Sequence, residues 1–430
     1  MRARKGNNMD FQTKQARRVL IMSTLAFAAN FSVWTLYAVM GINIQESLSL
    51  SATEFGFLLA SPMLTGAILR FPVGILCEIY SCRKLFIYQM ILIVPALLAL
   101  RWIDTYWGYI FVGFLIGISG VSFTIGIRYV SVWFERKQQG YAMGVFGAGN
   151  AGAAITLALA PQIINYLGWD MIGVVYAGGM LIMIILFAMM SPEETKYMEK
   201  RRNTSLAFHL APLKEMHVWR FGLYYYFVFG SFLALLLWLP QYYMSAYKLD
   251  LETAMLLTLI FVTSSSMVRA LGGWFSDRYG GRAVNWSVFW VCLVCLFFLS
   301  YPPTTMIIHG VEKDVNLTID VNVWLFTFLI LIIGLAQGFG RASVYKIIQD
   351  HYPEHMGSVG GTVATIGALG GVTLPVMFGV IVDFLGIHTA CFMLLYGVLA
   401  LCMAVMYFSI KSEQHKKLLR EAIANNFLEQ

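Results

Sequence analysis

The stretch Arg269-Ala-Leu-Gly-Gly273-Trp-Phe-Ser-Asp277-Arg278-Tyr-Gly-Gly-Arg282 has a partner 199 residues earlier, Arg70-Phe-Pro-Val-Gly74-Ile-Leu-Cys-Glu78. Both read arginine, glycine four residues on, and an acid four further. A second match follows in the same order. Gly140-Tyr-Ala-Met-Gly144 pairs with Gly357-Ser-Val-Gly-Gly361 at an offset of 217, and Gly149-Asn150-Ala-Gly152 pairs with Gly367-Ala-Leu-Gly370 at 218. Two independent matches in one order mark an internal duplication.

The sequence around these motifs is apolar. Of 430 residues, 59% are hydrophobic and only 12% charged, about half the charge that an ordinary soluble domain carries. That excludes soluble, disordered and fibrous classes, and the long unbroken apolar runs argue against an outer-membrane barrel. A membrane-crossing helix needs about 20 apolar residues. Runs of that length fall near 19–43, 54–77, 85–104, 107–134, 140–166, 170–190, 219–244, 253–275, 283–301, 322–348, 357–384 and 386–410. The first has a basic flank but no A-x-A cleavage site at a fitting distance, so it reads as a retained helix. The expected fold is an all-α membrane protein of 12 transmembrane helices in two pseudo-symmetric six-helix halves. The expected domains are 1–190, a polar cytoplasmic linker 191–218, the second half 219–410 and a tail 411–430.

Charge placement gives the expected orientation. An even number of spans puts both termini on one side. That side holds 22 of the 30 Lys and Arg, the opposite side three (Arg101, Lys248, Lys313), and five lie inside spans. The crowded side is then cytoplasmic, in the cell (inner or plasma) membrane. The net charge of +7 is topology, and no nucleic-acid partner is needed. The tail reads either as an amphipathic helix with Leu418, Leu419, Ala422 and Ile423 on the membrane surface or as a solvated segment. Asn316-Leu-Thr318 is a glycosylation sequon on an outer loop. The six cysteines, including the Cys292/Cys295 C-x-x-C, lie in or beside apolar runs and read as small buried residues. No metal or cofactor is expected. No span carries a nucleophile–base pair or metal-ligand spacing, so an enzyme is not expected either.

The five basic residues inside the spans carry the functional reading. An arginine at the bilayer centre costs about 2.5–3.5 kcal/mol or more, and is normally partnered or lines a water-filled path. Arg70 and Arg269 each stand eight residues before an acid at the cytoplasmic edge, roughly 12 Å into a core about 30 Å thick. All 23 Asp and Glu fall in loops, tails or span ends, with Asp383 at the outer end of its span. With no midplane carboxylate, the missing counter-charge reads as an anionic substrate. A guanidinium fits small planar oxyanions bidentately. Asn150 adds an amide donor. The surrounding glycines admit two readings, tight helix packing or close approach of backbone amides to the anion. Arg128 and Lys346, matched at offset 218, read as snorkelling side chains or as a path that draws anions from the cytoplasm. Arg341 is placed deeper, where it could touch substrate.

The Gly273–Arg282 stretch resembles the signature of the major facilitator superfamily between the second and third helices of each half. The first copy is looser, with Glu78 for Asp and Ser81 for Gly. In this signature Gly74, Glu78, Gly273, Asp277 and Arg278 would serve conformational change. More narrowly, the chain resembles the nitrate/nitrite porter (NarK-type) family. The marks are Gly147-Ala-Gly149-Asn150-Ala-Gly152, the run from Gly360-Gly361 through Gly367-Ala-Leu-Gly370-Gly371, one arginine in each of the second and eighth helices, and Gly338-Phe-Gly340-Arg341-Ala-Ser-Val-Tyr345-Lys346. Two positions depart from the pattern: Arg341 replaces a small amide residue and Arg128 a proline. The resemblance implies a substrate site from Arg70, Arg269, Asn150, Gly147, Gly149, Gly367, Gly370 and Tyr225, although a tyrosine early in a helix also suits an interface anchor; Arg341 joins these candidates on its depth alone.

The expected activity is exchange of small oxyanions, nitrate against nitrite, by alternating access. Two guanidiniums about 8 Å apart at an effective dielectric near 20 repel by roughly 2 kcal/mol, which disfavours closing the empty carrier. The alternative is a proton-coupled symporter or an exchanger of small organic anions such as formate, oxalate or a dicarboxylate. A channel or a non-transporting sensor stands further off. Expected partners are the anion and the lipid bilayer, with the chain a monomer.

Overall fold

The computed structural model describes residues 2–134, 139–194, 211–309, 314–352 and 356–428. Among these are twelve helices long and apolar enough to cross a membrane: α1 Lys14–Leu48, α2 Ala52–Cys77, α3 Cys82–Trp102, α4 Tyr106–Trp133, α5 Ala142–Leu167, α6 Trp169–Met190, α7 Met216–Tyr247, α8 Leu251–Tyr279, α9 Gly281–Leu299, α10 Val323–His351, α11 Val359–Leu385 and α12 Ala390–His415. Each expected span lies on one of them, with α1, α7 and α10 extending further than the apolar runs suggest. Most of the 191–218 linker, with Lys196, Lys200, Arg201 and Arg202, lies outside the described residues, as do Arg136 and Lys137.

Local chemistry sets the helix starts. Ser51 and Glu54 form a capping box at the head of α2, satisfying donors that the first turn leaves open. The Asp250 carboxylate caps α8 by accepting from Thr253 N at 3.0 Å, and that bond holds it below the usual carboxylate range. Glu194, just past α6, accepts a short hydrogen bond from Cys82 N at the head of α3. It is 4% exposed, and burial pushes its carboxyl above the usual range.

One feature was not foreseen. Between α9 and α10 the chain folds into an antiparallel hairpin, β1 Thr304–His309 and β2 Asp314–Ile319, in register from Thr304↔Ile319 to His309↔Asp314. Its Thr, Ile and Val residues suit a strand, and the Asn316 sequon sits on it. At the other end of the molecule the final helix runs unbroken from Ala390 to Leu428, so residues 411–428 continue α12, the helical one of the two readings of the tail. Leu418 is exposed; the side chains of Leu419, Ala422 and Ile423 lie outside the described residues.

The twelve helices form two six-helix halves whose cross-contacts run through α2 with α11, α5 with α8, and α1 with α7. The α2–α11 seam is the most extensive. At its hairpin end the backbones nearly touch. A Cβ at Gly56 would stand 2.5 Å from Pro375 O, and one at Gly379 would stand 2.2 Å from Ala52 O. Asp383, at the end of α11, caps α2 across the seam, accepting from Ala52 N at 3.1 Å, Thr53 N at 2.7 Å and Thr53 Oγ1 at 2.5 Å. Phe55, Trp238 and Phe378 bridge α2, α7 and α11 with ring centroids 5.6 and 5.7 Å apart. Outside runs a belt of exposed apolar side chains such as Leu92, Phe111, Ile182 and Phe297, and Trp102, Trp107 and Trp324 ring the hairpin end, the usual interfacial place for tryptophan.

Candidate anion site at the seam

Where the halves meet, five helices leave regular α geometry, α1 breaking into a turn at Thr35–Leu36. α4 tightens into a 3-10 turn at Gly117–Val121, α5 does so at Ala148–Ala151, α7 opens into a π turn at Tyr226–Gly230, and α8 is interrupted at Val268. Such departures collect at functional positions and hinges. Here they surround the arginines.

Trp34 is set first. Its indole Nε1 donates to Pro62 O at 2.9 Å, and the ring lies in a slot that a Cβ at Gly66 or Gly120 would fill, 2.7 and 2.8 Å from the nearest atoms. Arg70, one turn on along α2, is 2% exposed. Its guanidinium carbon lies 4.9 Å from the Trp34 ring, 5.5 Å from Phe123 and 5.7 Å from Phe229. Nε donates to Gly120 O at 3.2 Å and Nη1 to Ala364 O at 3.3 Å. The two carbonyls take two of its five N–H donors and the rings attract the cation, but none of them neutralises it.

Arg269 makes the reciprocal approach. It is half-buried, and a Cβ at Gly147 of α5 would stand 3.3 Å from its Nη1. Ala364 lies 217 residues after Gly147. Each arginine therefore reaches the glycine-rich helix of the opposite half, at repeat-related positions. Both act electrostatically on Tyr345. Among the described residues neither forms an ion pair with an acid, and nor does Arg341.

Arg341 is fully buried, 4.1 Å from the Phe232 ring, and within Coulombic range of Arg269 and Tyr225. Tyr225 is 1% exposed and deep in the bundle rather than at its edge. It stacks on Phe229 at 5.1 Å and meets Tyr345 edge-on at 5.2 Å. Gly367 makes room for Tyr225: a Cβ there would stand 2.3 Å from the ring. Gly370 packs backbone to backbone on Gly230, and Gly149 receives the Phe27 ring. For these three glycines packing is the visible role. Asn150 is 1% exposed, and its Nδ2 has no partner, leaving an amide donor available beside Gly147 and Gly149.

The remaining candidates lie toward the terminus end. Lys346 Nζ is 3.0 Å from Asp350 and 3.4 Å from Asp277. Arg128 exerts its charge on Cys82 at the head of α3. Arg278 lies over Trp274 and Tyr279; a Cβ at Gly273 would meet nothing within 4 Å, and one at Gly74 would meet only Thr124, at 3.5 Å. The Glu78 side chain lies outside the described residues. The aromatic neighbours Trp34, Phe123, Phe229 and Phe232, with Ser265 and Ala364, had no sequence signal separating them from ordinary core. Tyr345 did have one, in the tenth-helix motif.

The Major Facilitator Superfamily model matches residues 22–311 and 315–427. The chain is 35% identical over 411 residues to the probable nitrate/nitrite antiporter NarK1 of Thermus thermophilus, covering 91% of each. It is 27% identical to the nitrite extrusion protein of Bacillus subtilis (strain 168), over 87% of this chain and 90% of that one. It is 26% identical to the probable nitrate transporter NarT of Staphylococcus haemolyticus, over 89% and 94%. In fold it is similar to a bacterial homologue of the human lysosomal transporter Spinster in an inward-facing, occupied conformation (TM-score 0.70, 12% identity, 92% and 97% covered). It is also similar to the nucleoside transporter NupG (TM-score 0.68, 13% identity, 90% and 99% covered). The chain is a multi-pass membrane transporter, not an enzyme, and belongs to the major facilitator superfamily and, within it, to the nitrate/nitrite porter family.

Proposed function

We propose that the protein exchanges nitrate for nitrite by alternating access, the anion held between Arg70 and Arg269. One observation carries this reading: each half contributes one buried or half-buried arginine that reaches the glycine-rich helix of the other, and neither has an acidic partner among the described residues. An anion supplies the missing charge. Bidentate donors suit its planar oxygens, and Asn150 Nδ2 offers a neutral donor beside them. The relatives' names agree with such a cargo.

The empty carrier has two like charges to bring together and resists closure, whereas the loaded one does not. Transport in one direction then requires cargo for the return. The working arrangement is one chain of two halves, 1–190 and 219–410, joined by the 191–218 linker. Both termini face the cytoplasm of the cell membrane, which makes the sealed hairpin end the outer one.

Counterflow in proteoliposomes tests the reading. With no pH gradient, uptake of labelled nitrate should require nitrite or nitrate inside. Uptake into empty vesicles that follows an imposed pH gradient defeats exchange in favour of proton symport.

A further inference from the structure

Duplication accounts for Arg70 and Arg269 but not for Arg341. Counted at the offset of 218, the residue matching Arg341 is Phe123, whose ring faces the Arg70 guanidinium. Arg70 thus has an aromatic face where Arg269 has a like charge. The two sides of the clamp are unequal in electrostatics.

Arg341 is fixed in place. Nε donates to Gln337 O at 3.4 Å, and Nη2 donates to both Ser265 O and Ser265 Oγ at 2.7 Å. Phe232 covers one face of the guanidinium. That leaves Nη1, which is buried and has no hydrogen-bond partner. Arg269 stands one helical turn beyond Ser265 on α8, the residue Arg341 is bonded to, and is itself without an acidic partner among the described residues. A buried charge without a counter-charge is costly. A water joining Nη1 to the unpartnered Gln337 Oε1 would complete two hydrogen bonds and leave the charge unchanged. One monovalent anion on the Arg70–Arg269 clamp leaves two of three positive charges unmatched.

We infer that Arg341 Nη1 and Arg269 form a second subsite for a small monovalent anion, a halide or a second nitrate or nitrite, filled together with the transported anion. The inference rests on the transport reading above. The second anion lies on the α8–α10 side, behind Arg269, and keeps that arginine from being pushed away from the seam by Arg341.

The test counts anions on the full chain, purified in gluconate buffer free of halide. Equilibrium dialysis with labelled nitrate should give two per wild-type chain. Bromide should displace one of them at concentrations that leave the other. Arg341→Gln should bind one, and Arg341→Lys, which keeps the charge, two. One nitrate per wild-type chain overturns the subsite, whether a water occupies it or a single dianion such as oxalate spans all three cations. Two nitrates in Arg341→Gln overturn it as well. No bound nitrate in wild type defeats the transport reading together with the subsite, so the two failures are distinguishable. Should Arg341→Gln not fold, the wild-type count and the bromide displacement still decide.

Discussion

Arg70 Nη1 donates to the carbonyl oxygen of Ala364 over 3.3 Å, so the cation of one half rests on the backbone of the other. The bond can last only while the two halves are together at that level. It is a natural candidate for what an incoming anion replaces.

Arg70→Lys tests the planar fork. An ammonium keeps the charge but cannot present paired donors to Gly120 O, Ala364 O and an anion at once. Loss of one charge-assisted hydrogen bond is worth about 1.5–3 kcal/mol, so nitrate affinity should fall roughly ten- to a hundredfold, with the protein still folded. Nitrate titrations of both forms by tryptophan fluorescence, which Trp34 at 4.9 Å should report, check this. Unchanged affinity removes the bidentate arrangement.

Gly367→Ala and Gly361→Ala separate packing from open space within one motif. The first places a methyl 2.3 Å from the Tyr225 ring, whereas the second meets nothing within 4 Å. Overpacking costs about 1–3 kcal/mol, so Gly367→Ala should lower the melting temperature in detergent and weaken nitrate binding through Tyr225. Gly361→Ala should leave stability level or raise it by about 0.5–1 kcal/mol, since helical glycine is entropically costly.

Asp383→Ala should open the hairpin end. It removes the carboxylate that accepts from Ala52 N, Thr53 N and Thr53 Oγ1 across the seam. A membrane-impermeant maleimide should label a cysteine placed at Val376, which packs beside Gly56, several times faster in that background. An equal labelling rate means that the carboxylate does not hold the seam.

Glu194→Gln should flatten the pH dependence of stability. Burial raises the folded carboxyl above the usual range. The folded state therefore takes up this proton more readily than the unfolded chain. The resulting stabilisation is complete below the unfolded value, near 4.3, and is lost as pH rises through the folded one. A neutral amide keeps an oxygen for Cys82 N and avoids the buried charge. At pH 8 the variant should melt at or above wild type, and the gap should narrow toward pH 5. A gap that widens on acidification contradicts the assignment.

The twelve spans and the pair Arg70 and Arg269 were legible because bilayer thickness and duplication each leave a period in the sequence. Asp383 was legible as an acid at a span end, but its partners lie about 330 residues away, and nothing local names them. The rings around Arg70 were not legible, since Trp34, Phe123 and Phe229 read as ordinary members of apolar helices until the fold places them against a cation. Tyr225 suited an interfacial anchor by its place early in α7, yet the slot over Gly367 draws it inward. The hairpin at 304–319 fell in a stretch too short and too polar for the twenty-residue window that found the helices.

The hairpin-end seam joins Gly56 to Pro375 and Ala52 to Gly379 through main-chain atoms. Long side chains yield gradually under load, but main chain against main chain is either in register or apart. Such a joint shuts abruptly and leaves no crevice through which a stray proton or ion could slip. A carrier closed in this manner can turn over many times without draining the voltage of the membrane that houses it.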